Sequence, residues 1–295
     1  MLSSEQVKQF NDEGMLCIPD FLSPDQIAQL SARAHTLLDD FDPSAHPKTL
    51  FSTSTDNHVG NQYFLDSSDK VSFFFDTDAV DSDGNLVYPK QVAINKIGHG
   101  LHLHEPAFEK VTFDDKVQGI AKSLQYEDPR VLQSMLIFKH PAQAKKIRDN
   151  EVPPHQDGTF LYTDPPSALG FWFALEDVTK DNGCLYYAPG SHKKFPIISR
   201  FVRTPKAPGT EMMGLADVHD PEPRDSLKYV PMECKAGSLI LIHNQVLHKS
   251  EKNESDKSRF AYAFHLIEGT ADYDEFNWLQ VPSSGGTNFS KLFKD

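Results

Sequence analysis

The sequence predicts a mainly β fold with flanking helices, its core a double-stranded β-helix, or jelly roll, in which two sheets pack face to face. Two features predict it. Short apolar or alternating runs follow one another from residue 71 to residue 267, with Gly, Pro, Asn and Asp clustered between them. Ahead of them stand two segments with helical periodicity and clear start signals.

Taken in order, Ser3 or Ser4 caps a helix with Val7 and Phe10 inward, which Gly14 stops. Met15 to Ile18 is a short apolar strand. Ser23-Pro24 starts a second helix, with Ile27, Leu30, Ala34, Leu37 and Leu38 on its buried face, running to about Asp40. Val71 to Phe75 reads as a strand, Asp81 to Gly84 as a turn, and Val92 to Ile97 as a strand that encloses Lys96. A lysine there ordinarily snorkels or pairs at a sheet edge. A helix is expected over Phe108 to Leu124, and core strands over Arg130 to Lys139 and Leu169 to Leu175. Further strands are expected around His155 and over Cys184 to Ala188, Val230 to Met232, Ser238 to His243 and Arg259 to Ile267. Residues 140–151 read as a charged, solvated loop. Residues 203–226, rich in Pro, Gly, Glu and Asp, read as an irregular lid or binding loop. No repeat or composition break divides the chain. Residues 1–295 are therefore expected to form a single domain, with 1–125 a largely helical N-terminal layer and 130–270 the jelly-roll core.

A net charge of -13 removes the polyanion-binding classes, so no nucleic-acid partner is expected. No apolar run approaches the length of a membrane span, the N-terminus lacks a basic segment followed by an apolar one, and the C-terminal KLFKD is no peroxisomal signal. The expectation is a cytoplasmic protein with no membrane partner and a small-molecule substrate. Cys17, Cys184 and Cys234 are odd in number and far apart, which suits reduced, structural thiols.

Among thirteen histidines, only His155 is followed two positions later by an acidic residue, Asp157. On an extended strand residues i and i+2 share a face, so the two side chains can hold one metal ion. Downstream, the hydrophobic run Leu239 to Ile242 leads to a polar end bearing His243 and His248, and Arg259 opens the next strand. Two imidazoles and one carboxylate leave coordination positions open, as non-haem Fe(II) oxygenases require. An arginine close by offers a permanently charged fork for the far carboxylate of a dicarboxylic acid. His102 and His104, with His99 nearby, form a rival cluster at the same i, i+2 spacing, although Pro106 ends any strand there. His192 lies in a Pro-Gly turn and reads as structural. From pattern alone Met135 and Trp172 are core residues.

Seven stretches spread over nearly the whole chain, FNDEGMLCIPDFLS, INKIGHGLHLHEP, QSMLIFK, PPHQDGTFLYT, DNGCLYYAPGSHK, GSLILIHNQVLHKS and SRFAYAFHLIE, resemble the phytanoyl-CoA dioxygenase family of Fe(II)- and 2-oxoglutarate-dependent oxygenases. The resemblance implies Fe(II) on His155, Asp157 and His248. Here His248 is preferred to His243 because its spacing to Arg259 matches the family. It implies 2-oxoglutarate as co-substrate with its far carboxylate on Arg259, in a pocket lined by Lys96, Met135, Trp172 and Ser250. The implied enzyme is an oxidoreductase that converts 2-oxoglutarate and O2 to succinate and CO2 while hydroxylating a small organic substrate. Two other readings stay open at this point: a cupin-like divalent-metal enzyme without O2 chemistry, separable by metal analysis and O2 dependence, and a non-catalytic binding module.

Overall fold

The computed structural model describes residues 1–47, 49–50, 61–144, 151–204 and 209–293. Its strands are β1 (Met15–Ile18), β2 (Val71–Phe75), β3 (Ile94–His99), β4 (Pro129–Lys139), β5 (Val152–His155), β6 (Leu169–Ala174), β7 (Leu185–Tyr187), β8 (Ser199–Arg203), β9 (Thr210–Gly214), β10 (Val230–Met232), β11 (Leu239–His243), β12 (His248–Ser250), β13 (Arg259–Glu268) and β14 (Ser290–Lys291). The α-helices are α1 (Ser4–Glu13), α2 (Pro24–Asp40), α3 (Gln62–Leu65), α4 (Lys90–Ala93), α5 (Leu101–His104), α6 (Pro106–Thr112), α7 (Asp115–Ser123) and α8 (Asp157–Phe160).

Two antiparallel sheets make the jelly roll. The larger runs β1-β11-β6-β13-β4-β3-β2, with β14 also on β4; the smaller runs β10-β7-β12-β5. Alternation along the large sheet sorts its two faces. Leu136, Phe138, Phe171, Phe173, Leu239, Leu241, Phe260, Tyr262 and Phe264 join one cluster with Leu30, Ala34, Leu37 and Leu38 of α2, Phe108 and Val111 of α6 and Val117 and Ile120 of α7. Met135, Trp172, Ala174, Ile240, Ile242, Ala261 and Ala263 point the other way and pack with Leu185 and Tyr187 of the small sheet. The helices thus cover the outer face, and the inner face is left to the site.

Local chemistry explains the element ends. Ser3 and Ser23 each close a capping box, with Gln6 and Gln26 as the reciprocal partners. Gly14 ends α1 with φ 85° and its N–H on Phe10 O. A Cβ there would lie 2.5 Å from His192 Nδ1, so glycine is needed both for the backbone and for the close approach.

Three expectations need correction. The helix over 108–124 is two helices, because the Asp114 side chain accepts from Lys116 N and caps a fresh start for α7. The strand expected at Val92 begins at Ile94, after the helical turn α4. Within 203–226, β9 pairs with β8 as a hairpin and a 3-10 turn spans Arg224–Ser226, so the segment is not irregular throughout; residues 205–208 lie outside the described residues. Lys139 ends β4 as its strand was expected to and is 2% exposed, whereas residues 145–150 of the charged loop lie outside the described residues. Among the described residues no helix is long and apolar enough to cross a membrane.

Candidate active site

His155 ends β5 and His248 opens β12, and the two are direct cross-strand partners. Antiparallel pairing therefore brings together histidines 93 positions apart in sequence, with ring centroids 4.2 Å from each other. Asp157 does not continue the strand as its spacing suggested. The chain turns after His155, and Asp157 is the first residue of α8. The carboxylate still reaches the pair: Asp157 Oδ1 lies 3.7 Å from His155 Nε2 and 3.6 Å from His248 Nε2. Ligand atoms of the three residues lie within 4.8 Å of one another, and among the described residues no other His, Cys, Asp or Glu group does this.

The imidazoles are oriented from behind. His155 Nδ1 donates to Pro153 O at 2.9 Å and His248 Nδ1 to Val246 O at 3.0 Å. A carbonyl only accepts, so both rings carry hydrogen on Nδ1 and turn Nε2 toward Asp157. Burial raises the Asp157 pKa, but His248, His265 and His155 outweigh it and hold the carboxyl below the usual range. Asp157 is the anion of the site.

From this triad a cavity of about 490 Å³ extends between the sheets. Lys96, Met135, Trp172, Ser250 and Arg259 all line it. Arg259 opens β13, is 2% exposed, and forms no ion pair among the described residues, where its Nε has no hydrogen-bond partner. Its guanidinium lies over the Trp172 ring, 5.3 Å from the centroid. Burial pushes its pKa down to about 10, which leaves it cationic at neutral pH. Beside it, Lys139 is the cross-strand partner of Arg259 and donates to Ser250 Oγ at 2.8 Å and to Glu251 O. Burial, then the charge of Arg259, pulls the Lys139 pKa down. Two basic side chains thus share one buried end of the cavity, where Glu151 also lies on the lining and, with Glu251, works against the fall in the Lys139 pKa. Lys96 also lines the cavity, and burial pushes its pKa to about 7.

At the other end an aromatic wall runs from the triad. Phe160 stands 6.0 Å from His155 and 5.7 Å from Phe201, and Phe64 stacks on Trp278 at 4.5 Å.

A sequence model of the family described as phytanoyl-CoA dioxygenase matches residues 10–261, a span that holds the triad and Arg259. The chain belongs to the phytanoyl-CoA dioxygenase family. It is 41% identical to "Phytanoyl-CoA dioxygenase domain-containing protein 1 homolog" of Caenorhabditis elegans over 98% of each chain. It is 42% identical to "Phytanoyl-CoA dioxygenase domain-containing protein 1" of Mus musculus over 95% of each. Among solved structures it resembles the non-heme alpha ketoglutarate dependent epimerase SnoN from nogalamycin biosynthesis, with TM-score 0.67 and 16% identity over 99% of this chain and 96% of that one. It also resembles EctD from S. alaskensis with 2-oxoglutarate and 5-hydroxyectoine, with TM-score 0.59 and 19% identity over 92% and 78%. At these identities the likeness is one of fold, a jelly-roll core shared with 2-oxoglutarate-dependent oxygenases.

In this phytanoyl-CoA dioxygenase family member the other histidines have different work. His99 Nδ1 meets Ser67 Oγ, His102 Nδ1 meets Ser134 Oγ, and His104 Nε2 donates to Asp69 O. His243 packs on Phe10 and His192 and accepts from Gln245 N, outside the cavity. His192 donates to Asn11 O. Pattern reading missed three groups. Lys139 shares strand parity with Met135, and His265 with Arg259, so alternation was the available signal. Gln156 is fully buried between two members of the triad; it donates to Phe195 O and Gln245 O and accepts from Arg224. No pattern marked it.

Proposed function

We propose that the chain is an Fe(II)- and 2-oxoglutarate-dependent dioxygenase, which converts 2-oxoglutarate and O2 to succinate and CO2 and hydroxylates a small organic substrate. Residues 1–295 act in this reading as one catalytic domain, working in the cytoplasm without nucleic acid or membrane. The observation that carries the reading is the combination, in one cavity, of an anionic His-Asp-His set and a buried arginine with no counter-ion among the described residues.

The donor set fits iron. Two imidazole nitrogens and one carboxylate on one side leave the opposite side open, and both imidazoles are held in the tautomer a metal needs. His155, Asp157 and His248 would hold the Fe(II), which when bound supplies the oxidising chemistry with O2 and the 2-keto acid. The remaining work belongs to this chain's residues. Arg259 receives the far carboxylate of 2-oxoglutarate, and its desolvated charge gains the pairing that the free protein lacks. Ser250 Oγ, already accepting from Lys139, turns its own O–H toward the same anion. Trp172 and Met135 wall the co-substrate and exclude water, and Lys96 adds positive charge when protonated. The aromatic wall of Phe64, Phe160, Phe201 and Trp278 receives the substrate on the far side of the triad.

The test is 2-oxoglutarate turnover with Fe(II), read as succinate formation, against a panel of candidate substrates that stimulate it. Unchanged succinate formation by Asp157→Ala would rule the assignment out.

A further inference from the structure

We infer that His265 is a positioning residue for Asp157, holding the second carboxylate oxygen so that the first faces the two imidazoles. The inference rests on the reading of Asp157 as a metal ligand. It starts from the two oxygens of one side chain. Oδ1 faces His155 and His248, whereas Oδ2 lies 3.2 Å from His265 Nε2. An ionised carboxylate only accepts, so the hydrogen of that bond sits on His265 Nε2. The His265 ring is itself held by Gln133, its direct partner on β4, whose amide approaches Nδ1 at 3.4 Å. With Nδ1 accepting from the amide, the hydrogen on Nε2 is the donor that Asp157 needs.

The backbone is arranged for this contact. A bulge between His265 and Leu266 shifts the β13 register on β4 directly after His265, and such irregularities re-aim side chains. On the other neighbouring strand the residue opposite His265 is Gly170. A Cβ at Gly170 would lie 3.2 Å from Asp157 Oδ2 and 3.3 Å from His265 Nε2, tighter than ordinary contact to both. Its backbone does not call for glycine, since its φ is not positive. The missing side chain leaves room for the bond between Asp157 and His265.

A carboxylate ligand free to rotate presents either oxygen, or both, to a metal; one held at Oδ2 presents Oδ1. Loss of such a supporting bond typically weakens metal binding about 10- to 100-fold. The experiment titrates Co(II), a spectroscopic stand-in for Fe(II), into the wild type, Asp157→Ala, His265→Gln and His265→Leu, reading affinity and the visible ligand-field bands. Gln retains an N–H donor and Leu has none, and the two are close in size. The inference expects Asp157→Ala to lose binding, His265→Leu to bind about 10- to 100-fold more weakly with altered bands, and His265→Gln to recover most of the affinity. Wild-type binding by His265→Leu, with binding lost in Asp157→Ala, overturns the inference and leaves the metal site standing. Equal weakening in both His265 variants assigns the loss to the ring's bulk and also overturns it. Wild-type binding by Asp157→Ala overturns the metal site, and this inference with it.

Discussion

Arg259 and Lys139 are paired across β13 and β4, so that two basic side chains, each 2% exposed, lie side by side. Arg259 is held there at a cost in stability, because its charge is desolvated and pairs with no carboxylate among the described residues. On the proposed function, a dianion that enters recovers this cost.

Arg259→Met should therefore separate stability from binding. Removing one partner of a buried charge pair costs about 3–5 kcal/mol, so KM for 2-oxoglutarate should rise by at least about 10²-fold. The free variant should at the same time melt at or above the wild-type temperature. Arg259→Lys should restore little, since an ammonium cannot make the planar two-point contact. Steady-state kinetics and thermal unfolding with and without 2-oxoglutarate give both readouts.

Lys96 supplies a pH dependence. Its folded pKa, about 7, lies below the value of roughly 10.4 expected in the unfolded chain. As pH falls from about 10.4 the unfolded chain takes up the proton first, so stability is lost down to about pH 7 and is then level. Lys96→Met should raise the melting temperature more at pH 7 than above pH 10. In the active protein the ammonium forms below about pH 7, so 2-oxoglutarate should bind more tightly at pH 6 than at pH 8, and Lys96→Met should flatten that difference.

Tyr262 tests the outer face. It is fully buried, and its hydroxyl pairs with Thr112 Oγ1 of α6 at 2.6 Å, tying the helical layer to the large sheet. Tyr262→Phe should cost about 1 kcal/mol and Tyr262→Ala about 3–5 kcal/mol in chemical denaturation. At temperatures where Tyr262→Phe is folded, its KM for 2-oxoglutarate should match the wild type, because the side chain faces away from the cavity.

Gln156 tests the loop between the triad members. Gln156→Leu keeps the bulk but removes two donated bonds and the acceptor for Arg224. Each buried partner left unsatisfied costs about 1–3 kcal/mol. Stability should fall, and succinate formation should fall further than stability alone explains, because His155 and Asp157 flank the lost anchor. Arg224→Ala, which removes one of the three contacts, should show a smaller loss of succinate formation.

How much of this was legible in the sequence differs from residue to residue. The strand pattern and the Ser3 and Ser23 caps were readable because alternation and capping are local rules. His155, Asp157, His248 and Arg259 were readable as spacing, yet the reason first given for His155 and Asp157, a shared strand face, is not how they meet. A turn into α8 brings Asp157 round, and no local rule announces it. The break at Asp114 was missed because the apolar spacing of 108–124 continues through it, whereas the cap that interrupts it is a single side chain. Lys139 and His265 were readable in principle, since each shares its strand parity with an inward residue already singled out. Gln156 was not readable: its partners come from β5–α8, the turn after Ser191, the 243–246 turn and Arg224, which only the folded chain assembles.

The alternation along β13 has one more consequence. Arg259, Ala263 and His265 line the cavity and Ala261 packs on the same inner face, whereas Phe260, Tyr262 and Phe264 anchor the helices. Selection for a new substrate and selection for a durable scaffold therefore act on different letters of the same word, and the small inward residues between Arg259 and His265 can change while the outward set holds the protein together. Small inward residues such as Ala263, which lines the cavity, are where a different substrate shape would first be written.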